Sequence, residues 1–294
     1  MGKAYEKISS TAKFVAYLRT FSDIPFATEI ASESGAKEAF EALAGGSKKS
    51  VVKMSPYWEA RYKTTNRILV QKDLTQVLEV AAGLSPRGLV MTENPEVVYV
   101  STDLPQILEE EKSIVEAILL KGNDRRPNLH FEVANALDRG SLLRVAAAFE
   151  KNRPIAVLTE GLFPYFDREE QSALASNVHD VLDQYNGIWV ATDVRTKRYF
   201  EAAIRLDETG QKRRETIASS TGSDFERNLF ADENDVRCFF GTAGFQMEEF
   251  PYSDPDDPLS SVKQLGLSQE ETESALELIN LSKTLVLTPR RRNR

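Results

Sequence analysis

Two hydrophobic rhythms divide the chain. From Ala4 to about Leu69, apolar residues such as Phe14, Val15, Tyr17, Leu18 and Phe21 recur near helical spacing, and Phe40 and Leu43 lie in an alanine-rich stretch. Three or so helices are predicted there. Gly45-Gly46-Ser47 breaks the pattern, and Ser55-Pro56 starts the next helix at Tyr57, because proline suits a first helical turn. Beyond Lys72 the rhythm changes to short apolar runs, each followed by a turn and a longer helical pattern. That alternation predicts strands joined by helical crossovers in an α/β fold with a seven-stranded, mostly parallel sheet and helices on both faces. The strands are expected at Gln76–Val80, Val97–Ser101, Leu129–Val133, Ile155–Glu160, Ile188–Asp193, Gln246–Phe250 and Thr284–Leu287. Crossover helices are expected at Leu104–Lys121, Gly140–Lys151, Arg168–Tyr185 and Asp232–Thr242, and a capped helix at Ser268–Leu281. The charged stretch 195–228 is too long for a simple connection and predicts a lid insertion, helical around Tyr199–Leu206. The organisation is thus a helical cap over residues 1–72 and a core over 73–294.

Charge narrows the partners. A net charge of -8 opposes a long polyanion over most of the surface, so nucleic acid is not expected as a substrate. The basic run Arg290, Arg291, Arg292 and Arg294 reads as a solvated tail. Cys238 is the only cysteine, which excludes an intrachain disulfide and a multi-cysteine metal site and fits a reducing compartment. The N-terminal MGKAYEKISSTAKF has no apolar signal-peptide core and no stretch is long and apolar enough for a membrane span, so a cytoplasmic address is expected.

The chemistry concentrates after the first two strands. In Val77-Leu78-Glu79-Val80-Ala81-Ala82-Gly83-Leu84-Ser85-Pro86-Arg87-Gly88, an apolar strand runs into a small-residue turn and a helix start, the place where open α/β sheets bind cofactors. The dinucleotide fingerprint G-x-G-x-x-G and the P-loop are both absent. Asp103, in Tyr99-Val100-Ser101-Thr102-Asp103-Leu104-Pro105, ends the second strand twenty residues beyond Gly83, where a carboxylate can accept hydrogen bonds from ribose hydroxyls. It also fits a helix N-cap before Pro105, and the two roles are compatible. His130 starts a strand of buried type and His179 falls within an amphipathic helix, so neither reads as catalytic and no metal site is expected.

These blocks resemble the S-adenosylmethionine-dependent methyltransferases that group leucine carboxyl methyltransferase with polyketide O-methyltransferases of the tetracenomycin type. The resemblance rests on Glu59-Ala60-Arg61, Glu79 to Arg87, Tyr99 to Pro105, and Thr159-Glu160-Gly161-Leu162-Phe163-Pro164-Tyr165-Phe166, in matching order and spacing from about Asp23 to Tyr185. It implies a Rossmann-like class I methyltransferase fold, S-adenosyl-L-methionine as methyl donor and S-adenosyl-L-homocysteine as product. By the same resemblance, Arg61 pairs with the methionine carboxylate of the cofactor, Ala81 and Gly83 line its methionine end, and Glu160 faces its amino group. Asp103 holds the ribose beside Leu104, Asn135, Ala136 and Leu137 flank the adenine, Glu79 belongs to the same cofactor-binding set, and Tyr165 lies near the transferred methyl. The chain departs from many members at Ser85-Pro86, where they have Asp-Thr, at Ser101, where they have glutamate, and at Pro164. The expected activity is O-methylation of a carboxyl or acidic hydroxyl of a small metabolite, with no membrane or nucleic-acid partner. A protein C-terminal carboxylate as acceptor, or cofactor binding without turnover, are the competing readings.

Overall fold

A computed structural model describes residues 2–45, 48–206, 215 and 225–290, with the side chains of residues 2–9 left undescribed. Its seven strands are β1 (Gln76–Val80), β2 (Val98–Asp103), β3 (Leu129–Val133), β4 (Ala156–Thr159), β5 (Ile188–Ala191), β6 (Phe245–Pro251) and β7 (Lys283–Pro289). They form one sheet in the order β3-β2-β1-β4-β5-β7-β6. All neighbours are parallel except β7, which runs antiparallel to β5 and β6. The chain reverses direction across the sheet after β3 and continues from β4 on the other side of β1, which opens a crevice at the carboxyl ends of β1 and β4. Each of β1, β4 and β5 is covered on both faces, which is why β4 and β5 run apolar without alternation and even the polar Gln76 and Glu79 of β1 are buried.

The predicted strand centres coincide with the observed ones. The clearest difference is the character of β3: it is the sheet's edge, so His130 is exposed instead of belonging to a buried strand. His179, by contrast, is buried and packs edge-on against Phe245, with ring centroids 5.3 Å apart. The N-terminal region divides into five helices where about three were expected: α1 (Gly2–Arg19), α2 (Ala27–Glu33), α3 (Ala36–Ala44), α4 (Lys48–Val52) and α5 (Ser55–Gln71). Turns at Phe26 and Gly35, both with positive φ, separate α1 from α2 and α2 from α3, punctuation that periodicity alone does not register. The remaining helices are α6 (Arg87–Met91), α7 (Pro105–Lys121), α8 (Arg139–Ala146), α9 (Arg168–Tyr185), α10 (Lys197–Leu206), α11 (Glu233–Thr242), α12 (Ser260–Gln264) and α13 (Gln269–Asn280). Capping boxes of Asp167 with Glu170 and of Ser268 with Glu271 set the starts of α9 and α13. The expected lid at 195–228 falls outside the described residues over 207–214 and 216–224, as does the arginine tail over 291–294.

The cap is keyed into the core. Glu59 of α5, fully buried, accepts from the amides of Ser260 and Ser261 and so caps α12, while α1 packs on α3, α2, α5 and α7. The core itself has two apolar layers, one on each face of the sheet. Trp189, Phe163, Phe240 and Phe245 anchor the layer under α8, α9 and α11, and Leu69, Val77, Tyr99 and Ile118 anchor the other. No helix among the described residues is long and apolar enough to cross a membrane.

Candidate functional site

The turn after β1 is built by two residues with positive φ, Ala81 at 56° and Gly83 at 60°. Glycine admits this conformation without a Cβ penalty, and here it also admits a close neighbour: a Cβ on residue 83 would lie 3.3 Å from the Cβ of Ala12 in α1. The amide of Gly83 donates to Asp103 Oδ2 at 2.9 Å, and the amide of Leu104 to Oδ1 at 2.7 Å. The carboxyl ends of β1 and β2 are thereby tied together around one carboxylate. Burial pushes the Asp103 carboxyl up to about 6, against the pull of both amides. Leu104, not Asp103, is the N-cap of α7, so the capping role expected from Pro105 does not fall to the Asp103 side chain. After β3, Asn135 is exposed, Ala136 buried and Leu137 half-buried; the Asn135 side chain accepts from the Leu137 amide in a local turn.

Beside this turn lies a knot of buried charge. Glu160, just past β4, receives Arg19 Nη2 at 2.6 Å and Arg61 Nη2 at 3.0 Å on Oε1, and Arg87 Nη2 at 2.8 Å on Oε2. Burial alone would raise this carboxyl, but the three guanidinium groups outweigh it and hold it well below the usual carboxylate range. Glu79, inside β1, accepts from Arg87 Nη1 on Oε1 at 2.9 Å and from the Tyr99 hydroxyl on Oε2. Both of its oxygens are engaged by protein groups, so Glu79 anchors Arg87. The departure at Ser101 also resolves: its hydroxyl bonds both oxygens of the buried Glu111, at 2.7 and 2.9 Å, so α7 supplies a carboxylate at that level of β2.

The roof is α1. Besides Ala12 on Gly83, Arg19 Nη1 donates to the Leu84 carbonyl at 3.2 Å, and Thr11 receives the Tyr165 hydroxyl at 3.0 Å. Tyr165 sits in a 3-10 turn, Phe163–Tyr165, with Phe225 packed edge-on at 5.1 Å, and burial raises its phenol. Asp193, past β5, accepts from the Phe163 amide at 3.0 Å, and burial lifts it to about 6 even with Arg61 and Arg195 nearby.

Arg61, Gly83, Asp103, Glu160 and Tyr165 therefore meet at one edge of the sheet, while Asn135 to Leu137 stand at the β3 end of the same edge. Arg19, Arg87 and Asp193 were not singled out from the sequence. Arg87 lies within the quoted Glu79 to Arg87 block, and Asp193 ends the strand expected at Ile188–Asp193, two residues past the observed end of β5. Arg19 carries no local signal, since only the fold of α1 onto Leu84 makes it a site residue.

The sequence model described as leucine carboxyl methyltransferase matches residues 14–179, more than half of the chain. A Mycobacterium ulcerans protein described as a "Putative S-adenosyl-L-methionine-dependent methyltransferase" is 29% identical over 108 residues, covering 37% of this chain and 34% of its own length. The chain thus matches about a third of that relative. A DUF574 family protein from Streptomyces avermitilis superposes with a TM-score of 0.58 at 14% identity, over 96% of this chain and 97% of its own. A Thermobifida fusca structure described as a "putative methyltransferase" gives 0.50 at 17% identity, over 87% and 89%.

Proposed function

Since the chain belongs to the leucine carboxyl methyltransferase family, whose cofactor is S-adenosylmethionine, we propose that it is an O-methyltransferase acting on a carboxyl or acidic hydroxyl of a small metabolite. The crevice suits that cofactor. Arg61 Nε is buried without a hydrogen-bond partner, and its Nη2 is held by the Glu160 carboxylate. Asp103 is a buried acceptor beside a glycine turn. Arg61 would take the methionine carboxylate, Asp103 the ribose hydroxyls, and Asn135 to Leu137 the adenine edge. Glu160 would face the amino group only by giving up part of its triple ion pair. When bound, S-adenosylmethionine supplies an electrophilic methyl group on a sulfonium sulfur, and the acceptor oxygen displaces the thioether. The protein contributes position and exclusion of water, which suffice for an acceptor already ionised at neutral pH.

The observation that carries a small acceptor is the α1 roof. Thr11 on Tyr165, Ala12 on Gly83 and Arg19 on Leu84 lay α1 over the crevice at the β1 turn and Tyr165, where a protein tail would call for an open groove. Isothermal titration with S-adenosylmethionine, then methyl transfer to a panel of carboxylic and hydroxy acids, tests the reading. Transfer to peptide C-termini alone would replace it with a protein substrate, and tight binding without turnover on any acceptor would replace it with a cofactor-binding regulator. A carboxylate acceptor gives a single-turnover rate that is flat above about pH 7; a hydroxyl gives one that climbs toward its own pKa.

A further inference from the structure

Past Arg61, on the β5 side, lies a separate cavity of about 40 Å³ whose wall includes Tyr57, Thr192, Arg195, Tyr199 and Tyr252. Tyr57 precedes Arg61 by one turn of α5, so one helix face presents a phenol to this cavity and a guanidinium to the Glu160 knot. The Tyr57 ring packs against those of Tyr199 and Tyr252, with centroids 5.9 and 5.8 Å away. Tyr252 donates its hydroxyl to the Thr192 carbonyl. Arg195 lies over the Tyr199 ring at 4.9 Å, and its Nη2 reaches the Tyr57 hydroxyl only at the long distance of 3.5 Å.

Arg195 is the unusual member. No ion pair involving it is found among the described residues, and its Nε and the Thr192 hydroxyl are both buried without a hydrogen-bond partner. Unanswered buried donors cost more than answered ones return, so two at one cavity mark a place that a ligand completes. The field there is positive: burial would raise the Tyr57 phenol, but Arg195 and Arg61 outweigh it and lower it. The acids nearby do not cancel that field. Asp193 takes the Phe163 amide on one oxygen and leaves the other buried without a partner, so it offsets part of the field but less than Arg195 and Arg61 supply; Glu249 is paired with Lys283 and Arg237, and Glu233 is half-buried on the α11 side of the wall.

Building on the proposed methyl transfer, we infer that this cavity anchors a carboxylate of the acceptor through the Arg195 guanidinium and the hydroxyls of Tyr57 and Thr192. The volume admits a group of that size and not a whole metabolite. A carboxylate gripped by a guanidinium has its lone pairs engaged and is a poor nucleophile, so the anchored group is not the one methylated. The acceptor class is therefore a dicarboxylate or a hydroxy acid, with one oxygen to react and one carboxylate to hold.

Arginine Nε–Hε spectra of ¹⁵N-arginine-labelled protein test this, with acetate as probe, acetamide as its neutral counterpart and ionic strength held constant. Titrations are run with and without saturating S-adenosylhomocysteine. Expected is one resonance, missing from Arg195→Lys, that shifts saturably with acetate and not with acetamide under both conditions, and a several-fold weaker response in Tyr57→Phe. No saturable shift, a shift that persists in Arg195→Lys, or an equal response to acetamide overturns the anchor. Should Arg195→Lys fail to fold, an unchanged acetate response in Tyr57→Phe overturns it instead. Failure of S-adenosylhomocysteine to bind would count against the methyltransferase reading alone, because the titration without it still decides the anchor.

Discussion

The cofactor crevice and the Arg195 cavity lie side by side at one edge of one sheet, and their buried charges are met to different degrees. In the crevice three carboxylates are answered: Glu160 by three arginines, Glu79 by Arg87 and Tyr99, Asp103 by two amides. In the cavity Arg195 has no ion pair among the described residues, and it and the Thr192 hydroxyl keep unanswered donors, whereas the crevice arginines, though Arg19 and Arg61 also leave Nε unpartnered, each hold a carboxylate. A ligand in the crevice must exchange partners the protein already has, which costs affinity but holds the fold together without it. A ligand in the cavity completes what the fold leaves open, and selectivity follows from the penalty on an acceptor that lacks the matching group.

The contrast breaks most visibly at Arg87. It is fully buried between Glu79 and Glu160, so Arg87→Met leaves two carboxylates each short of a partner, and unfolding stability should drop by about 3–5 kcal/mol in chemical denaturation. Adding Glu79→Gln should recover part of that loss; no recovery would mean that the arginine acts through packing on Tyr62, whose ring it overlies at 4.7 Å. Asp103→Ala removes the carboxylate proposed to hold the ribose, and S-adenosylhomocysteine should bind more weakly by about 1.5–3 kcal/mol in calorimetry. Unchanged affinity would reduce Asp103 to a clasp between β1 and β2.

Smaller effects sharpen the picture. Arg61→Ala should weaken S-adenosylhomocysteine about tenfold more than 5′-methylthioadenosine, which lacks the carboxylate; equal losses would place the damage in α5. The pH dependence has a defined sign. Asp103 is raised to about 6 from 3.8, so stability tied to its protonated form is present below about pH 4 and is lost as pH climbs through 6. Ribose hydroxyls donate to the ionised form, so affinity should run the other way, weakening up to tenfold per unit below pH 6 and flat above 7. Asp103→Asn should abolish that slope, whereas a slope that survives belongs to Asp193, which titrates in the same range. At the small end, His130→Gln on the exposed edge strand should leave both stability and transfer rate unchanged within error.

Much of the crevice was legible because its parts are local. Gly83 lies in the turn just after β1 and Asp103 ends β2, and a strand followed by a turn of small residues can be recognised within a dozen positions. Parallel pairing of β1 with β2 in register, Val80 opposite Thr102, then brings those ends together with no further information. The same holds for the capping box of Asp167 with Glu170, whose partners are one turn apart.

The sequence by itself thus determined the alternation of strands and helices, the β1–β2 crevice with its carboxylate, and the charge that disfavours polyanions. Each is a property of neighbours along the chain, where backbone geometry dictates the spacing. Tertiary structure alone decided that Glu160 is shared by Arg19, Arg61 and Arg87, that α1 roofs the turn at Gly83, and that Tyr57, Thr192, Arg195 and Tyr252 surround one cavity. Those partners lie up to 195 positions apart, and a buried charge selects its counterion by distance in space, which periodicity along the chain does not encode.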